Sequence, residues 1–282
     1  MNHPSAPILS VITPTFNSLP FIEECILHVE SERIDGVEHV IVDGASTDGT
    51  EALISELAQS RPYVSWISEP DTGQSSAMNR GIALAKGRFI CFLNVDDYFE
   101  PACLKLVVSK LLKLSENQFL VGNCNVVNGQ GKLLSVRKPS RCGYPQILQF
   151  WKPDVFPPNP SSYFYPKSIH DRAGLYDEEE HYVLDYEMFV RILRFATPHY
   201  INHTLGNFVL HDNTKTFLNT RGTKTPSKLH VYEKYLLNLP KWQRWTFEVQ
   251  RWYHTVLKRS NNRLIFFALR PMYALRYVLK KF

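Results

Sequence analysis

Cysteine is scarce in this chain of 282 residues. Cys25, Cys91, Cys103, Cys124 and Cys142 are scattered, odd in number and without a CxxC pair, which argues against both a disulfide framework and a zinc site. Glycine-rich phosphate loops are missing too: neither GxGxxG nor GxxxxGKS/T occurs, so the chain lacks the usual cradle of a Rossmann dehydrogenase or a P-loop enzyme. No run approaches the roughly 18 apolar residues a membrane span needs. Met1 to Pro7 has no charged and then apolar pattern of a signal peptide, and a reducing, cytoplasmic location is the expectation. There is no internal repeat and no low-complexity tract.

What is present fits a folded enzyme-sized unit. Hydrophobic residues make up 44% and charged residues 21%, too apolar for a disordered chain. The net charge of +5 hides an asymmetry. Between Lys241 and Phe282 ten Lys or Arg face one acid, Glu248, a charge of +9, while the remaining 22 basic and 26 acidic residues leave the body at −4. A basic, aromatic end on a mildly acidic body points to a partner for the end alone.

The first hundred residues alternate β-branched apolar runs with amphipathic segments, the pattern of β-α units on a mostly parallel sheet. Ile8 to Thr13, Glu38 to Val42, Val64 to Ile67 and Phe89 to Leu93 read as strands. Leu19 to Glu30, Asp48 to Gln59 and Gln74 to Ala85 read as helices, with capping residues at Thr47-Asp48-Gly49-Thr50 and a stop at Gly87. Farther on, Phe119 to Val127 and Lys132 to Val136 flank Asn128-Gly129-Gln130-Gly131, a hairpin signal. The proline-rich stretch Lys152 to Pro160 must be loop.

Ligands of open α/β sheets bind outside the carboxyl ends of the strands. Three predicted strands end there in polar residues: Thr13-Pro14-Thr15-Phe16-Asn17, Asp43-Gly44-Ala45-Ser46 and Asn94-Val95-Asp96-Asp97. A single Asp at such a place is ordinarily a cap or turn former, but three on one sheet edge point to a site. Asp96 and Asp97 are adjacent carboxylates after a buried strand, and a bound cation would offset their repulsion. Oxygen ligands favour magnesium or manganese over zinc. The structural alternative has Asp97 capping the helix entered through Pro101, with Asp96 solvated.

The ordered set Ser10-Val11-Ile12-Thr13-Pro14-Thr15-Phe16-Asn17, Val42-Asp43-Gly44-Ala45-Ser46-Thr47-Asp48-Gly49-Thr50, then Ser68 to Gln74, Asn79, Gly81, Gly87 and Asn94-Val95-Asp96-Asp97 resembles a family 2 glycosyltransferase. The likeness is to the bacterial cell-surface polysaccharide type and covers roughly residues 7 to 216. It implies a GT-A nucleotide-diphosphate-sugar transferase fold, a mostly parallel sheet flanked by helices, here with a C-terminal basic helical extension. It also implies transfer with inversion of a hexose-type sugar from a UDP-sugar to a saccharide or lipid-linked acceptor, with Mn2+ or Mg2+. Carried over by motif, Thr13, Pro14 and Thr15 line the nucleotide pocket and Asp43 bonds the base. Asp71 and Asn79 lie beside the nucleotide. Asn94, at the first position of the metal-binding motif, contacts ribose, and Asp96 holds the metal with Asp97 next to it. Met78 stands where many relatives have arginine.

Leu184-Asp185-Tyr186-Glu187-Met188-Phe189-Val190-Arg191 resembles the family's acceptor-side motif, which makes Asp185 the catalytic base. Its structural alternative is a solvent-facing helix start with Glu187 and Arg191 paired at i and i+4. Asn207 to Thr216 resembles a family segment that would bring His211 to the metal and Lys215 to the diphosphate; a structural His211 is the other reading. Residues 1–230 are expected to form the catalytic domain, with a nucleotide-sugar half over about 7–100 and an acceptor half over about 101–230. Residues 231–282 form the tail. Its aromatics and bases suit an anionic bilayer, at the inner face of the cell membrane. Packing on the domain and RNA binding are the alternatives. Two rival functions stand beside the leading one: a nucleotidyltransferase on a similar sheet, and a noncatalytic nucleotide- or polysaccharide-binding partner subunit.

Overall fold

The computed structural model describes residues 6–211 and 228–259, the side chains of 256–259 excepted. The chain divides into two compact units, Met1–Val231 and Tyr232–Phe282.

In the first unit the repeating β-α pattern becomes β1 (Leu9–Thr15), α1 (Leu19–Glu32), β2 (Val37–Asp43), α2 (Thr50–Gln59), β3 (Val64–Ser68), α3 (Gln74–Leu84) and β4 (Phe89–Phe92). Then come β5 (Tyr98–Phe99), α4 (Cys103–Leu111), β6 (Gln118–Asn128), β7 (Leu133–Arg137), β8 (Tyr163–Pro166), α5 (His170–Ala173), α6 (Leu184–Ile192) and β9 (Thr197–Leu210). The expected strands and helices in this stretch all form, with ends moved by one or two residues. Asn128 makes the expected hairpin turn between β6 and β7: its Oδ1 accepts from the N–H groups of Gln130 and Lys132. Gly87 is not a helix stop, for α3 ends at Leu84. A Cβ at Gly87 would lie 2.6 Å from the Ser10 nitrogen, so close approach of backbones requires glycine there.

One nine-stranded sheet runs in the order β3-β2-β1-β4-β8-β6-β9-β5, with β7 on β6. Strands β1 to β4 are mutually parallel, and β8 joins antiparallel between β4 and β6. The carboxyl ends of β1, β2, β3 and β4 therefore meet along one edge. Alternation along β1 decides which side chains reach it. Leu9 and Val11 enter the buried cluster beneath α1, with Cys25, Val29 and Cys91. Ile12 points to the other face, against α3, where a Cβ on Gly81 would come within 2.3 Å of its Cγ2. Helices thus cover both faces, as a buried parallel sheet requires.

In the second unit, α8 (Lys241–Arg259) is held to the segment before it by Tyr232, whose hydroxyl donates to Glu248 at 3.0 Å. Arg251 pairs with the same carboxylate at 2.8 Å. The short helix α7 (Leu229–Leu236) spans the division between the units. Among the described residues no helix is long and apolar enough to cross a membrane.

Candidate active site

Two loops carried by β1 and β2 are stitched together by short polar side chains. Asn17 accepts from the Thr47 N–H at 2.9 Å and its own N–H donates to Ser46 Oγ at 2.7 Å. Asp48 accepts from the N–H groups of Leu19 and Thr50, one at the start of each of α1 and α2, where helices leave amide donors unsatisfied. The stitching fixes the edge of a cleft of about 660 Å3. Pro14, Thr15 and Phe16 line it after β1, Gly44 after β2, Asp71 and Gln74 after β3, and Asn94 and Asp96 after β4. Asn159 of the proline-rich loop, His181, Tyr182 and Asp185 line it as well.

Asp96 accepts from His211 Nε2 at 2.9 Å. Both side chains are about a fifth exposed, and the His211 ring stacks on Phe21. One carboxylate oxygen and one imidazole nitrogen converging beside a cleft fit a Mn2+ or Mg2+ that takes its other ligands from a diphosphate and water. Among the described residues no group of three or more His, Cys, Asp or Glu gathers as it would for an all-protein metal site.

Asp97 behaves differently from its neighbour. It does not cap a helix, since the residue before α4 is Ala102 with no side-chain cap. The Asp97 carboxylate is buried and accepts from Asn94 Nδ2 at 2.8 Å, Asn159 Nδ2 at 2.6 Å and the Val209 N–H at 2.9 Å. Burial, and then the charge of Asp96, raise its pKa well above the usual carboxylate range. Its three donors join the β4 loop, the proline-rich loop and β9, so Asp97 holds the walls of the cleft in place.

Thr13 and Asn79 are not among the residues lining this cleft. Thr13 follows Leu9 and Val11 to the α1 side of the sheet, where its hydroxyl meets His39 Nε2 at 2.9 Å in the core. Asn79 clamps the segment before α6: its Oδ1 accepts from the Tyr176 N–H and its Nδ2 donates to the Tyr176 carbonyl, at 2.8 and 3.0 Å. It lies by a second hollow of about 720 Å3, beside the start of β4. Asp43 is fully buried, and its carboxylate accepts from Ser46 and from Ser68 Oγ. In this arrangement it shapes the turn that presents Gly44 to the cleft. A Cβ on Gly44 would sit 2.8 Å from Asp71 Oδ2, so glycine lets Asp71 lie over the turn. Met78 is core. Lys215 lies outside the described residues.

Asp185 lies in the first turn of α6 and reaches the cleft. The expected pairing of Glu187 with Arg191 forms at 2.7 Å, yet Asp185 is not turned to solvent beside it. Tyr163 donates its buried hydroxyl to Asp185 Oδ1 at 3.2 Å. Lys228 stands over the rings of Phe156 and Tyr186; burial lowers its pKa to about 8, opposed by the charge of Asp185. Tyr163, Lys228, Asn159 and the exposed ring of Tyr182 were missed by sequence reasoning. Only Tyr182 had a signal there, its place three residues before Asp185.

The family model for glycosyl transferase family 2 matches residues 10–174. The chondroitin synthase of Pasteurella multocida is 27% identical over 209 residues, 74% of this chain and 21% of that protein. The hyaluronan synthase of the same species matches equally. This chain thus spans about a fifth of the length of these relatives. An uncharacterized glycosyltransferase of Mycobacterium tuberculosis is 42% identical over 96 residues, 34% of this chain and 36% of that protein. Among solved structures, S. aureus TarS residues 1–349 with UDP-GlcNAc aligns with a TM-score of 0.66 at 19% identity, covering 84% of this chain and 69% of that 1–349 chain. The mannosyltransferase PcManGT of Pyrobaculum calidifontis, with GDP-Man and Mn2+, aligns at 0.57 and 18%, covering 96% of this chain and 82% of its own. The shared fold is GT-A.

Proposed function

The chain belongs to glycosyl transferase family 2, and on that premise we propose that it moves a sugar, with inversion, from a UDP-sugar to a saccharide or lipid-linked saccharide acceptor. The observation that carries this reading is the cleft itself, lined by both Asp96 and Asp185 at the carboxyl edge of a parallel sheet. Support for the donor class comes from TarS, whose structure holds UDP-GlcNAc. The mannosyltransferase with GDP-Man and Mn2+ supports a divalent metal and makes GDP-sugars the control donors.

In this reading Pro14, Thr15, Phe16, Gly44 and Asp71 cradle the nucleoside, and Asn94 reaches the ribose. Asp96 and His211 would hold Mn2+ or Mg2+, which when bound would supply positive charge for the leaving diphosphate. Asp185 takes the proton of the acceptor hydroxyl as that oxygen attacks the anomeric carbon from the face opposite the diphosphate. The bond from that carbon to the diphosphate oxygen breaks, and UDP leaves with the electron pair. Tyr163 orients Asp185 through its hydrogen bond. Residues 1–230 carry the reaction and residues 231–282 form a separate appendage.

Release of UDP from a panel of UDP-sugars, in Mn2+ and with saccharide or lipid-extract acceptors, tests the reading. Asp185→Asn is expected to cut turnover by about 10² to 10⁴ with donor binding nearly intact, the range for a general base. Asp96→Ala is expected to weaken Mn2+-dependent donor binding by calorimetry. Undiminished turnover in the first variant removes Asp185 as base, and unchanged binding in the second removes the metal assignment. A wild-type chain that binds UDP-sugar, releases nothing from UDP- or GDP-donors and is indifferent to both substitutions is a binding subunit.

A further inference from the structure

Helix α8 carries an apolar stripe that the described residues leave exposed. Trp242, Trp245 and Trp252 are 67%, 63% and 52% exposed. At about 100° per residue, these three and Val249 fall within an arc of about 80°. Phe247, 7% exposed, lies on the opposite side of the helix and faces inward. The three most exposed aromatic rings of α8 are therefore all tryptophan and share one face.

Charge favours one class of partner. Lys241, Arg244, Arg251, Lys258 and Arg259 outnumber the single acid of the helix, Glu248. That acid is already engaged by Arg251 and Tyr232. Exposed Lys241 flanks the stripe, and the chain from 241 to 282 carries +9. An indole ring has an apolar body and a polar N–H, which suits the headgroup layer of a bilayer better than its hydrocarbon. A basic amphipathic helix with tryptophan on its apolar side lies in the plane of that layer. A face serving RNA would interleave bases with the aromatics, whereas here the outer arc holds no base.

We infer that α8 is a membrane-surface anchor, seated by Trp242, Trp245 and Trp252 in the headgroup region of an anionic lipid bilayer. The anchor is independent of the catalytic reading. It would confine the cleft to two dimensions, where a lipid-linked acceptor is concentrated.

The test uses the full chain with phosphatidylcholine vesicles, with and without phosphatidylserine, in a flotation assay. The wild type is expected to float with the anionic vesicles and to show a blue-shifted tryptophan emission quenched by brominated lipid. Trp242→Ser, Trp245→Ser and Trp252→Ser combined should reduce binding by about tenfold or more, with UDP release from the donor in the presence of a soluble acceptor unchanged. Raised salt should weaken wild-type binding, since the headgroup attraction is screened. No flotation, or flotation unaffected by the triple substitution, overturns the inference. So does concentration-dependent dimerisation that the triple substitution abolishes without any vesicle binding, which would assign the stripe to a second copy. Binding of a single-stranded RNA probe in place of vesicles overturns it as well.

Discussion

Asp96 and Asp97 are chemically identical neighbours with opposite fates. Asp96 stays at the cleft and meets an imidazole, while Asp97 turns inward to three donors from three separate segments. The inward carboxylate depends most on Asn159, whose Oδ1 also accepts from the Ser161 N–H at 2.9 Å. Asn159→Ala removes one donor from a buried acid and leaves the Ser161 amide without its acceptor. The expected cost is about 1–3 kcal/mol of stability, read as a lower urea midpoint with an unchanged slope. No smaller cost is expected from the more conservative Asn159→Asp, which sets a second carboxylate against Asp97. A neutral outcome for Asn159→Ala would mean that Asp97 is held by Asn94 and Val209 alone.

The spacing of α3 from the sheet is set by Gly81, because its missing side chain admits Ile12. This helix carries Gln74 into the cleft at one end and Asn79 onto the Tyr176 backbone in its middle. Gly81→Ala must push α3 away from β1 or displace Ile12, and overpacking of this kind costs about 1–3 kcal/mol. Ile12→Ala in the same chain, which removes the Cγ2 methyl that the new Cβ meets, should recover part of the loss, a coupling that a double-mutant cycle measures. Purely additive effects would show that the helix yields elsewhere. At this scale the sequence was a good guide: the β-α units follow from local periodicity, with strands β1 to β4 in place. Gly87 was misjudged because a glycine near a helix end and a glycine in a tight interelement contact look the same in a linear chain.

Across the whole molecule, the cleft is assembled from β1, β2, β3 and β4 on one side and from two later loops on the other. A ligand that bridges these walls binds only the folded chain and so stabilises it by mass action. A productive UDP-sugar with Mn2+ should raise the melting temperature, by the equivalent of about 2.7 kcal/mol at a hundredfold excess over Kd. The rise should shrink sharply when the metal is omitted. An equal rise without metal would place the donor in the cleft independently of Asp96 and His211.

The sequence by itself determined the class of fold, the order of its first strands and helices, and the strand-end segments that border the cleft, because all of these rest on short-range periodicity and on motifs contiguous in the chain. It equally determined that the charge of the molecule is segregated to its end. Which polar residues face the cleft was decided only by tertiary structure. Alternation on β1 sends Thr13 under α1, the loop before α6 takes up Asn79, and the convergence of β9 with the proline-rich loop buries Asp97. Tyr163 and Lys228 come to Asp185 from distant parts of the sequence, and Trp242, Trp245 and Trp252 are separated from Phe247 by the turn of one helix. Side-chain direction and long-range contact create these differences, and neither is a property of any residue taken alone.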